Sequence, residues 1–366
     1  MTIGIDARLW SESGVGRYTQ NLIYGLSKID KQNQYVIFLR KGDNPNLPQN
    51  FKKVFTDIHW HTLKEQLMFP KILDKQNLDL MHFPYFSVPI FYNKPFIVTI
   101  HDLIYHHFPT GKSSTHSTLV YNFKLLSYKY IIQKAAQKAQ KIIAVSNATK
   151  QEIISTLKTD KNKITVVAEG VSNDLITQKA EKSSNGKYFL YVGNAYPHKN
   201  LDRLTDAFGY FNKNHPDVKL FLVGKEDVFY KRLKDKIKNR GLEQNVKFEG
   251  HVTDIGLSNL YANAIGLIAP SLMEGFGLPV LEAMRNKCLV LSSDIPAFKE
   301  ILKDNALYFD PKNTEDILKA MEAVYSEGSK NKTKDIIEKA FKLSLEFSWE
   351  KMVRETLKVY ESCFSL

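Results

Sequence analysis

The sequence predicts an α/β protein that contains two doubly wound domains, each a parallel sheet covered by helices on both faces. Short β-branched or aromatic runs alternate with helical patterns along the whole chain, as in sheets whose successive strands are joined by helices. A polar stretch at residues 174–187, which includes the letters ITQKAEKSSNGK, has the composition of a linker and separates two halves of similar size. The length of 366 residues is ordinary for two domains of about 100–200 residues each.

In the first half, β-branched and aromatic runs predict strands, and apolar residues at helical spacing predict the helices between them. The predicted strands are Thr2–Asp6, Tyr35–Leu39, Leu78–His82, Phe96–His101, Lys141–Ser146 and Ile164–Ala168. The predicted helices are Tyr18–Lys28, Leu63–Lys75, Thr118–Gln140 and Ala148–Leu157.

The second half shows the same alternation and ends in one further helix. The predicted strands are Tyr188–Gly193, Lys219–Gly224, Val246–Glu249, Gly266–Ala269, Leu289–Ser292 and Leu307–Phe309. The predicted helices are Leu201–Asn214, Val228–Asn239, Thr253–Ala262, Pro279–Asn286, Thr314–Tyr325 and Asp335–Glu346. The closing segment, from Ser348 through Phe364, has a serine suited to an N-cap at its start.

The composition excludes several classes of protein. Hydrophobic residues make up 43% and charged residues 25%, which disfavours disorder, collagen and a disulfide scaffold. The two cysteines, Cys288 and Cys363, form no Cys-x-x-Cys pair and fit a reducing cytosol. Asp6 and Arg8 stand where a signal peptide would need apolar residues. The longest uncharged run, Leu80–Asn93, is shorter than the roughly 18 residues that a membrane span needs.

The positive charge lies almost entirely in the first half. Residues 1–170 carry 22 Lys and Arg against 12 Asp and Glu, whereas residues 171–366 carry 29 against 27. Such a surplus predicts either an anionic partner or simply a lysine-rich solvated surface. In the helix predicted from residue 118, the stripe of Leu125, Tyr128, Ile132 and Ala136 is flanked by lysines. This pattern fits a helix on an anionic bilayer, and it fits equally an outer helix whose stripe faces the sheet. Nucleic acid is disfavoured because the basic residues do not interleave with aromatics on an identifiable module.

The first candidate site is Ser13-Gly14-Val15-Gly16-Arg17, between the opening strand and the helix predicted from Tyr18. Glycines there would let backbone N–H groups approach a phosphate at a helix N-terminus, although a plain tight turn explains them as well. A dinucleotide fingerprint would need a third glycine near Thr19 and an acidic residue after the next strand, where Arg40 and Lys41 stand. NAD is therefore disfavoured.

The second candidate site is His101-Asp102, at the end of an apolar strand, where polar side chains reach the ligand cleft of an open α/β sheet. With His106 and His107 the pair could form a metal cluster, but the chain has no Asp-x-Asp pair and few carboxylates nearby. A metal is therefore disfavoured. A buried histidine bonded to backbone is the alternative to a ligand contact.

The third candidate site follows the strand that ends at Gly193. A glycine turn, the cation Lys199 and an expected N-cap at Asn200 precede a helix. This order is typical of phosphate binding, with Lys199 as the point charge.

The fourth candidate site runs from Ser271 to Ala283. Glu274 follows a strand, Gly275 and Gly277 allow a tight loop with exposed amides, and Glu282 lies one turn inside the next helix. Two carboxylates beside backbone donors suit sugar hydroxyls, which both donate and accept hydrogen bonds. Two solvated glutamates would explain the charges, but not the GFGLP segment between them.

Together these motifs resemble one family, the retaining glycosyltransferases of family 4, which have the GT-B fold of two Rossmann-like domains facing across a cleft. The segment from Glu274 to Glu282 is similar to the donor-sugar motif of that family, and Gly193 through Asn200 is similar to its phosphate loop. The segments SGVGRYTQNL, HDLIYHHFP, SNATKQEI and FSWEKMV also match in order and approximate spacing. The resemblance implies an acceptor domain at 1–173, a linker at 174–187, a donor domain at 188–347 and a helix at 348–366 that crosses back to the first domain.

The resemblance also implies roles for individual residues. Glu274 would hold hydroxyls of the donor hexose, Lys199 would neutralise the leaving diphosphate, and His101 would touch the sugar from the opposite domain. Glu282 would bind the ribose. The other implied donor-binding residues are Gly14, Gly16, Gly193, Asn194, His198, Arg203, Gly275, Phe276, Gly277 and Leu278.

Two positions depart from the pattern of the family. Many members carry arginine where this chain has Asn194 and His198. Lys199 is then the obvious cation for the diphosphate, with Arg203 or Arg17 as substitutes.

The sequence therefore predicts a cytosolic, metal-independent transferase without a cofactor, which moves a hexose from a nucleotide diphosphate sugar to a hydroxyl with retention. The segments YPHKN and SGVGRYTQNL look most like those of bacterial mannosyl- and rhamnosyltransferases of surface polysaccharide assembly, including lipopolysaccharide. This favours GDP-mannose; UDP- and dTDP-sugars of rhamnose, glucose or GlcNAc are the alternative donors.

The expected acceptor is a glycan or a polyprenyl-linked sugar. The uncharged loop His82–Pro89 and the lysine-flanked helix favour peripheral contact with an anionic membrane, on the inner face of the cell membrane. Two other classes stay open: a nucleotide-sugar epimerase of the same fold, and a non-catalytic glycan- or nucleotide-binding protein.

Overall fold

The computed structural model describes residues 1–12, 14–109, 118–171, 186–326 and 330–364. The predicted linker, apart from its last two residues, and Ser13 of the first glycine motif lie outside this part of the chain. The described residues form two compact units. The first comprises residues 1–106, 118–170 and 348–364, and the second comprises the remainder.

The first unit contains a seven-stranded parallel sheet in the order β3-β2-β1-β4-β5-β6-β7. The chain moves outward from β1 in one direction, returns at β4 and continues in the other direction. Because parallel crossovers are right-handed, the connections made before and after this reversal cover opposite faces of the sheet. The strands are β1 Thr2–Asp6, β2 Gln34–Leu39, β3 Phe51–Phe55, β4 Leu80–Phe83, β5 Phe96–Ile100, β6 Lys141–Ala144 and β7 Ile164–Val166.

Helices cover this sheet, and the last helix of the chain joins the first unit. The helices are α1 Gly14–Ile29, α2 Leu63–Asp74, α3 Ile104–His107, α4 Thr118–Lys138 and α5 Asn147–Leu157. The final helix of the unit is α13, Trp349–Ser362, which packs on α1. Its N-cap is Ser348, whose hydroxyl accepts a hydrogen bond from the amide of Lys351.

The second unit contains a six-stranded parallel sheet in the order β10-β9-β8-β11-β12-β13, with the reversal between β8 and β11. The strands are β8 Tyr188–Val192, β9 Lys219–Val223, β10 Val246–Gly250, β11 Gly266–Ala269, β12 Val290–Ser293 and β13 Leu307–Phe309. The helices are α6 Leu201–Asn214, α7 Val228–Asn239, α8 Asp254–Asn263, α9 Leu278–Arg285, α10 Pro296–Leu302, α11 Thr314–Tyr325 and α12 Lys330–Ser344. The predicted α/β class with two doubly wound sheets is confirmed.

Several elements differ from the prediction, among them β3, α1 and α10. The strand β3 was not predicted, because FKKVF places two lysines in a strand at the edge of the sheet, where alternation is weak. Helix α1 begins at Gly14 rather than near Tyr18, so Gly16 lies within the first turn of the helix. The short helix α10 was also missed, because its seven residues give too few turns for a period to be visible.

A buried ion cluster ties the end of β1 to α2. The guanidinium of Arg8 lies 2.6 Å from Asp6 and 2.7 Å from Glu65, and it stacks 3.7 Å from the ring of Phe69. Burial lowers the pKa of Arg8, but the two carboxylates outweigh that effect and raise it. The cation therefore stays charged inside the unit and fixes the segment that follows β1.

Helices α1 and α13 approach closely at Gly25. A Cβ atom at Gly25 would lie 2.4 Å from Cγ2 of Val353 and 3.2 Å from its Cβ. We expect Gly25→Ala to lower the free energy of unfolding by about 1–3 kcal/mol, because overpacking in a filled interface forces backbone or rotamer shifts. Urea denaturation would measure the change.

The control for this prediction is a double-mutant cycle. Val353→Ala removes the atoms that clash, so the double variant Gly25→Ala/Val353→Ala should show a favourable coupling. Gly14→Ala, where a Cβ would meet nothing within 4 Å, should not destabilise the chain. Additive losses in the cycle would contradict the predicted clash.

Candidate functional site

The candidate site of the second unit lies where its strand order reverses. Ligands of open α/β sheets bind at the carboxyl ends of the strands at such a switch point. Strands β8 and β11 are the neighbours at this point, and the loops that follow them carry the third and fourth predicted motifs. Both motifs therefore reach the same edge of one sheet, although 75 positions separate Lys199 from Glu274.

The loop after β8 begins with a backbone turn that only glycine adopts easily. Gly193 has φ +148°, and a Cβ there would lie 2.8 Å from the hydroxyl of Tyr191. That hydroxyl donates to the carbonyl oxygen of Asn194 at 2.6 Å, and Tyr230 donates to the carbonyl of Gly193 at 2.7 Å. The side-chain oxygen of Asn194 accepts from the amide of Tyr196 at 3.2 Å. Two tyrosines thus hold the loop in one conformation.

Lys199 and Glu274 form an ion pair that joins the two loops. The ammonium Nζ of Lys199 lies 2.6 Å from Oε1 of Glu274, and the hydroxyl of Ser271 donates to the same oxygen at 2.7 Å. Burial raises the pKa of Glu274, but the charge of Lys199 and the two hydrogen bonds lower it below its usual range. The carboxyl group of Glu274 is therefore ionised near pH 7. Lys199 and Glu274 line a cleft with Tyr191, Val192, Leu267, Ile268, Ala269, Ser271, Gly277, Pro279, Val280 and Phe298.

His198 is buried beside this pair. Its Nδ1 has no hydrogen-bond partner in the described part of the chain. Burial and the neighbouring Lys199 lower its pKa to about 4, against the opposing effect of Glu274. The ring is therefore neutral near pH 7 and adds no positive charge. Its backbone carbonyl accepts from the amide of Leu272 at 2.7 Å, which is a second link between the loops.

Asn200 does not cap helix α6 as predicted. Its backbone is left-handed, with φ 61°, and its side chain makes no cap hydrogen bond. The amide nitrogen instead donates to the carbonyls of Pro270 and Pro311 at 3.0 and 2.7 Å. The oxygen accepts from Arg203 at 2.9 Å. Asn200 thus bridges loops, and the half-buried Arg203 is held one turn inside α6.

The start of α9 requires a glycine. Gly277 has φ +117°, and a Cβ there would lie 2.6 Å from the ring of Phe298. Phe276 is buried, with its ring centroid 6.0 Å from that of Phe347. Gly275 is buried, whereas Leu278 is half-buried and Pro279 occupies the first turn. The loop therefore presents the N-terminal turn of α9 next to Glu274.

The structure does not bring Glu282 into the cleft with Glu274. Its side chain is buried within the unit and accepts from the hydroxyl of Tyr261 at 3.1 Å. Contact with a ribose stays a prediction for this residue.

In the first unit, the glycine motif lies at the start of α1. Gly14 is exposed, whereas Gly16 is buried and a Cβ there would lie 2.5 Å from the carbonyl oxygen of Trp10. The glycine at position 16 is therefore required by close backbone packing, whatever its amide binds.

His101 follows β5 and has hydrogen bonds at both ring nitrogens. Nδ1 lies 2.9 Å from Oε1 of Glu169, and Nε2 lies 2.9 Å from the carbonyl oxygen of Pro84. Burial lowers the pKa of His101, but the hydrogen bond and charge of Glu169, with the Pro84 carbonyl, raise it above its ordinary value. Both nitrogens donate when the ring is protonated, so a ligand contact through either would replace an existing bond. His101 thus matches much of the alternative to a ligand contact, a buried histidine bonded to backbone. Its second partner, Glu169, was missed by sequence reasoning.

A chain of buried polar groups continues from this histidine toward α13. The ring of Tyr18 meets His101 edge-on at 4.8 Å between centroids, and its hydroxyl lies 3.2 Å from that of Thr99. His82 joins Thr99 to the hydroxyl of Tyr360 at 2.8 and 2.7 Å. Burial and the charge of His101 lower the pKa of His82 to about 3. The first unit therefore holds, in a single network, one histidine whose pKa is raised and one whose pKa is lowered.

Within the described ranges, no three His, Cys, Asp or Glu side chains are grouped to hold a metal ion. Sequence reasoning missed Glu169, and it missed the roles of Ser271, which donates to Glu274, and of Asn200, which bridges loops. Glu169 could have been found as a polar residue shortly after a strand, by the same rule that identified His101.

We expect the His101–Glu169 pair to make stability depend on pH. Because the folded pKa of His101 is raised, the pair stabilises fully below the unfolded value of 6.5, and that stabilisation is lost as the pH rises through the folded pKa. The difference in unfolding free energy between the parent and Glu169→Gln should therefore be largest near pH 6 and shrink toward pH 9. Urea denaturation at several pH values would measure it.

The histidine resonances of the same proteins give a control. The imidazole of His82 should stay neutral throughout this range, since its pKa is about 3, whereas His101 should titrate at a lower pH in Glu169→Gln. If the unfolding free energies of the parent and of Glu169→Gln changed with pH in parallel, the proposed effect of Glu169 on the pKa of His101 would be contradicted.

Comparison with known proteins was made on sequence and on structure. The family described as Glycosyltransferase Family 4 matches residues 13–175, and the family described as Glycosyl transferases group 1 matches residues 172–343. The O-antigen chain mannosyltransferase RfbU of Salmonella typhimurium is 26% identical over 73% of this chain and 71% of its own. The serotype-specific mannosyltransferase WbdA of Escherichia coli is 34% identical over 43% of this chain, which is only 20% of its own length.

A solved structure gives the fold of the whole chain. The Anabaena protein HepE, solved in complex with UDP and glucose, superposes with a TM-score of 0.78 at 17% identity, over 99% of this chain and 100% of its own. At this identity the likeness shows the fold alone, and it supports the GT-B class for the two Rossmann-like units described above. The Family 4 match and the group 1 match follow one another and together span residues 13–343. The chain therefore belongs to the glycosyltransferases.

Proposed function

We propose that this glycosyltransferase moves mannose from GDP-mannose to a hydroxyl of a glycan or polyprenyl-linked acceptor, in the cytoplasm and with retention of configuration. The observation that carries the proposal is the Lys199–Glu274 pair, 2.6 Å long, at the switch point of the second sheet. An ammonium and a carboxylate held side by side offer one partner for phosphate oxygens and one for sugar hydroxyls. A nucleotide diphosphate sugar contains both kinds of group.

In this proposal, Lys199 and the first turn of α9 stabilise the charge that develops when the sugar–phosphate bond breaks. A fixed cation in a partly buried site acts more strongly than in water and needs no reorganisation during the reaction. Glu274 holds sugar hydroxyls, and Ser271 keeps its carboxylate oriented through the 2.7 Å hydrogen bond. Contact of His101 with the sugar stays a prediction; within the first unit, Glu169 orients its ring through a 2.9 Å hydrogen bond.

The proposed reaction takes place on one face of the sugar. The bond from the anomeric carbon to the phosphate oxygen breaks while the acceptor oxygen bonds to the same carbon from the same side. The acceptor proton passes to the leaving phosphate, so no side-chain nucleophile is required, and we assign none.

The choice of donor is supported by the relatives. RfbU and WbdA are both mannosyltransferases by name, and they support mannose. HepE was solved with UDP and glucose, and it supports a UDP-sugar as the alternative. The names of RfbU and WbdA also favour an acceptor in bacterial surface polysaccharide assembly, such as O-antigen.

We expect Lys199→Ala to lower kcat/KM about 10²–10³-fold, or roughly 3–4 kcal/mol of transition-state stabilisation, because the leaving diphosphate loses its fixed cation. Steady-state transfer assays would measure it. Lys339→Ala, which removes an exposed lysine from α12, is the matched control and should act like the parent. A Lys199→Ala enzyme within twofold of the parent would contradict the role of the cation.

A panel of nucleotides tests the donor. GDP and GDP-mannose should raise the midpoint of thermal unfolding more than UDP-glucose or a dTDP-sugar at equal concentration, since the ligand that binds more tightly stabilises the folded state more. A larger rise of the unfolding midpoint with UDP-glucose would identify a UDP-sugar as the donor instead. No shift with any nucleotide would favour a non-catalytic protein, and isomerised sugar without acceptor would identify an epimerase.

A further inference from the structure

Helix α4 carries an apolar stripe on its solvent side as well as on its core side. The stripe read from the sequence faces inward, because Tyr128, Ile132 and Ala136 are buried in the core of the first unit. The interpretation of this stripe as a membrane face is therefore wrong. On the opposite side of the helix, Phe123, Leu126 and Tyr130 are between 54% and 69% exposed. Their spacing of three and four places them in one row.

Helix α2 and the loop after β4 extend this exposed apolar row. Leu63, Leu67 and Met68 of α2, with Phe91 of the loop, are between 45% and 80% exposed. The segment His82–Pro89, which the sequence suggested as a membrane contact, is itself buried or half-buried. That suggestion is therefore wrong for this segment, and the exposed ring lies just beyond it.

These residues lie on the same face of the sheet. Both the β3–α2–β4 connection and the β5–α4–β6 connection run in the same direction across the sheet, so right-handed crossovers put both helices on one side. The loop between them holds them together. The amide of Ile90 donates to the side chain of Gln66 in α2 at 2.8 Å, and its carbonyl accepts from Lys138 in α4 at 2.7 Å.

The charge of α4 and of the loop after β4 is wholly positive, and the acidic residues of α2 are paired with cations. Residues 118–138 and 84–95 contain no Asp or Glu. In α2, Glu65 is buried against Arg8, and Asp74 is paired with Lys94 at 3.5 Å. The same helices and loop, with the residue that follows α2, carry eight lysines: Lys64, Lys71, Lys75, Lys94, Lys124, Lys129, Lys134 and Lys138.

We propose that this face docks on an anionic lipid bilayer. We call it the lysine-ringed apolar face, defined by Leu63, Leu67, Met68, Phe91, Phe123, Leu126 and Tyr130 and the eight lysines just named. Large apolar side chains enter the boundary between headgroups and acyl chains, while lysines at the margin meet the negative headgroups. Exposed apolar residues in such numbers on one face mark an interaction surface rather than scattered surface positions.

The lysines favour an anionic bilayer over a second copy of the chain as the partner of this face. A second copy of the chain related by a twofold axis would bring the same surface against itself and set lysines against lysines. A negatively charged bilayer complements the same lysines without repulsion. In the described part of the chain no helix is long and apolar enough to cross a membrane, and the proposed contact lies on the surface of the bilayer. The proposal does not depend on the transferase activity.

The test is flotation of the full chain with vesicles of phosphatidylcholine alone and with vesicles that contain about 30% phosphatidylglycerol. The parent should bind the anionic vesicles at least tenfold more tightly, and salt should weaken the binding because it screens the lysines. The triple variant Phe123→Ser/Leu126→Ser/Tyr130→Ser should lose at least tenfold. A second variant, Leu67→Ser/Met68→Ser/Phe91→Ser, should show a similar loss and tests the other half of the face independently.

The matched control changes three apolar residues of the second unit that are equally exposed. Tyr210→Ser/Val228→Ser/Ile255→Ser removes side chains that are between 51% and 68% exposed, and it should bind vesicles within twofold of the parent. Thermal unfolding must be unchanged in all variants, as expected for exposed positions. A parent that fails to float, equal binding to both vesicle types, or an α4 variant that binds like the parent would overturn the proposal. A parent dimer that the α4 variant dissociates would also overturn it, since a second copy would then cover the face.

Discussion

The architecture of the second unit depends on one ion pair at the reversal of its sheet. Lys199 and Glu274 come from loops that the chain reaches 75 residues apart, and their 2.6 Å contact requires both loops to stop at the same edge. Two neutral links support that contact, from Leu272 to His198 and from Asn200 to Pro270. A partly buried pair loses much of its hydration, so its geometry must be well supported to be stable. These two hydrogen bonds, one between backbone groups and one from the side chain of Asn200, supply that support.

In the first unit, the corresponding buried pair joins a glutamate to a histidine rather than to a lysine. Glu169 raises the pKa of His101, while His82, one strand away in the same network, is kept neutral by burial and by its neighbour His101. The neutral ring can accept from one hydroxyl and donate to another, so it connects Thr99 to Tyr360 without a buried counter-ion. Helix α13 is thereby tied to the core through a polar group as well as through its packing on α1.

Much of this could be predicted from the sequence where the signal is local. The strands that flank both switch points are apolar runs, and the glycines and charges of the motifs lie directly after them. Long-range effects could not be predicted. Asn200 has the residue type of an N-cap, but carbonyls 70 and 111 positions away take its side chain. Glu169 is 68 positions from His101. Helix α4 is apolar on two sides, so its periodicity alone could not say which stripe faces the core.

Of the two departures from the family pattern, His198 affects the electrostatics of the proposed donor site most directly. Among the described residues that line the cleft, Lys199 is the cation, and Glu274 already neutralises it. His198, buried and neutral, adds a polar ring atom in place of a charge, and Arg203 is held by Asn200. A diphosphate must therefore compete with Glu274 for the ammonium. Competition of this kind is favourable when the sugar hydroxyls occupy the carboxylate at the same time, because then neither charge is left without a partner. The pair thus favours a ligand that carries phosphate and sugar together over either one alone.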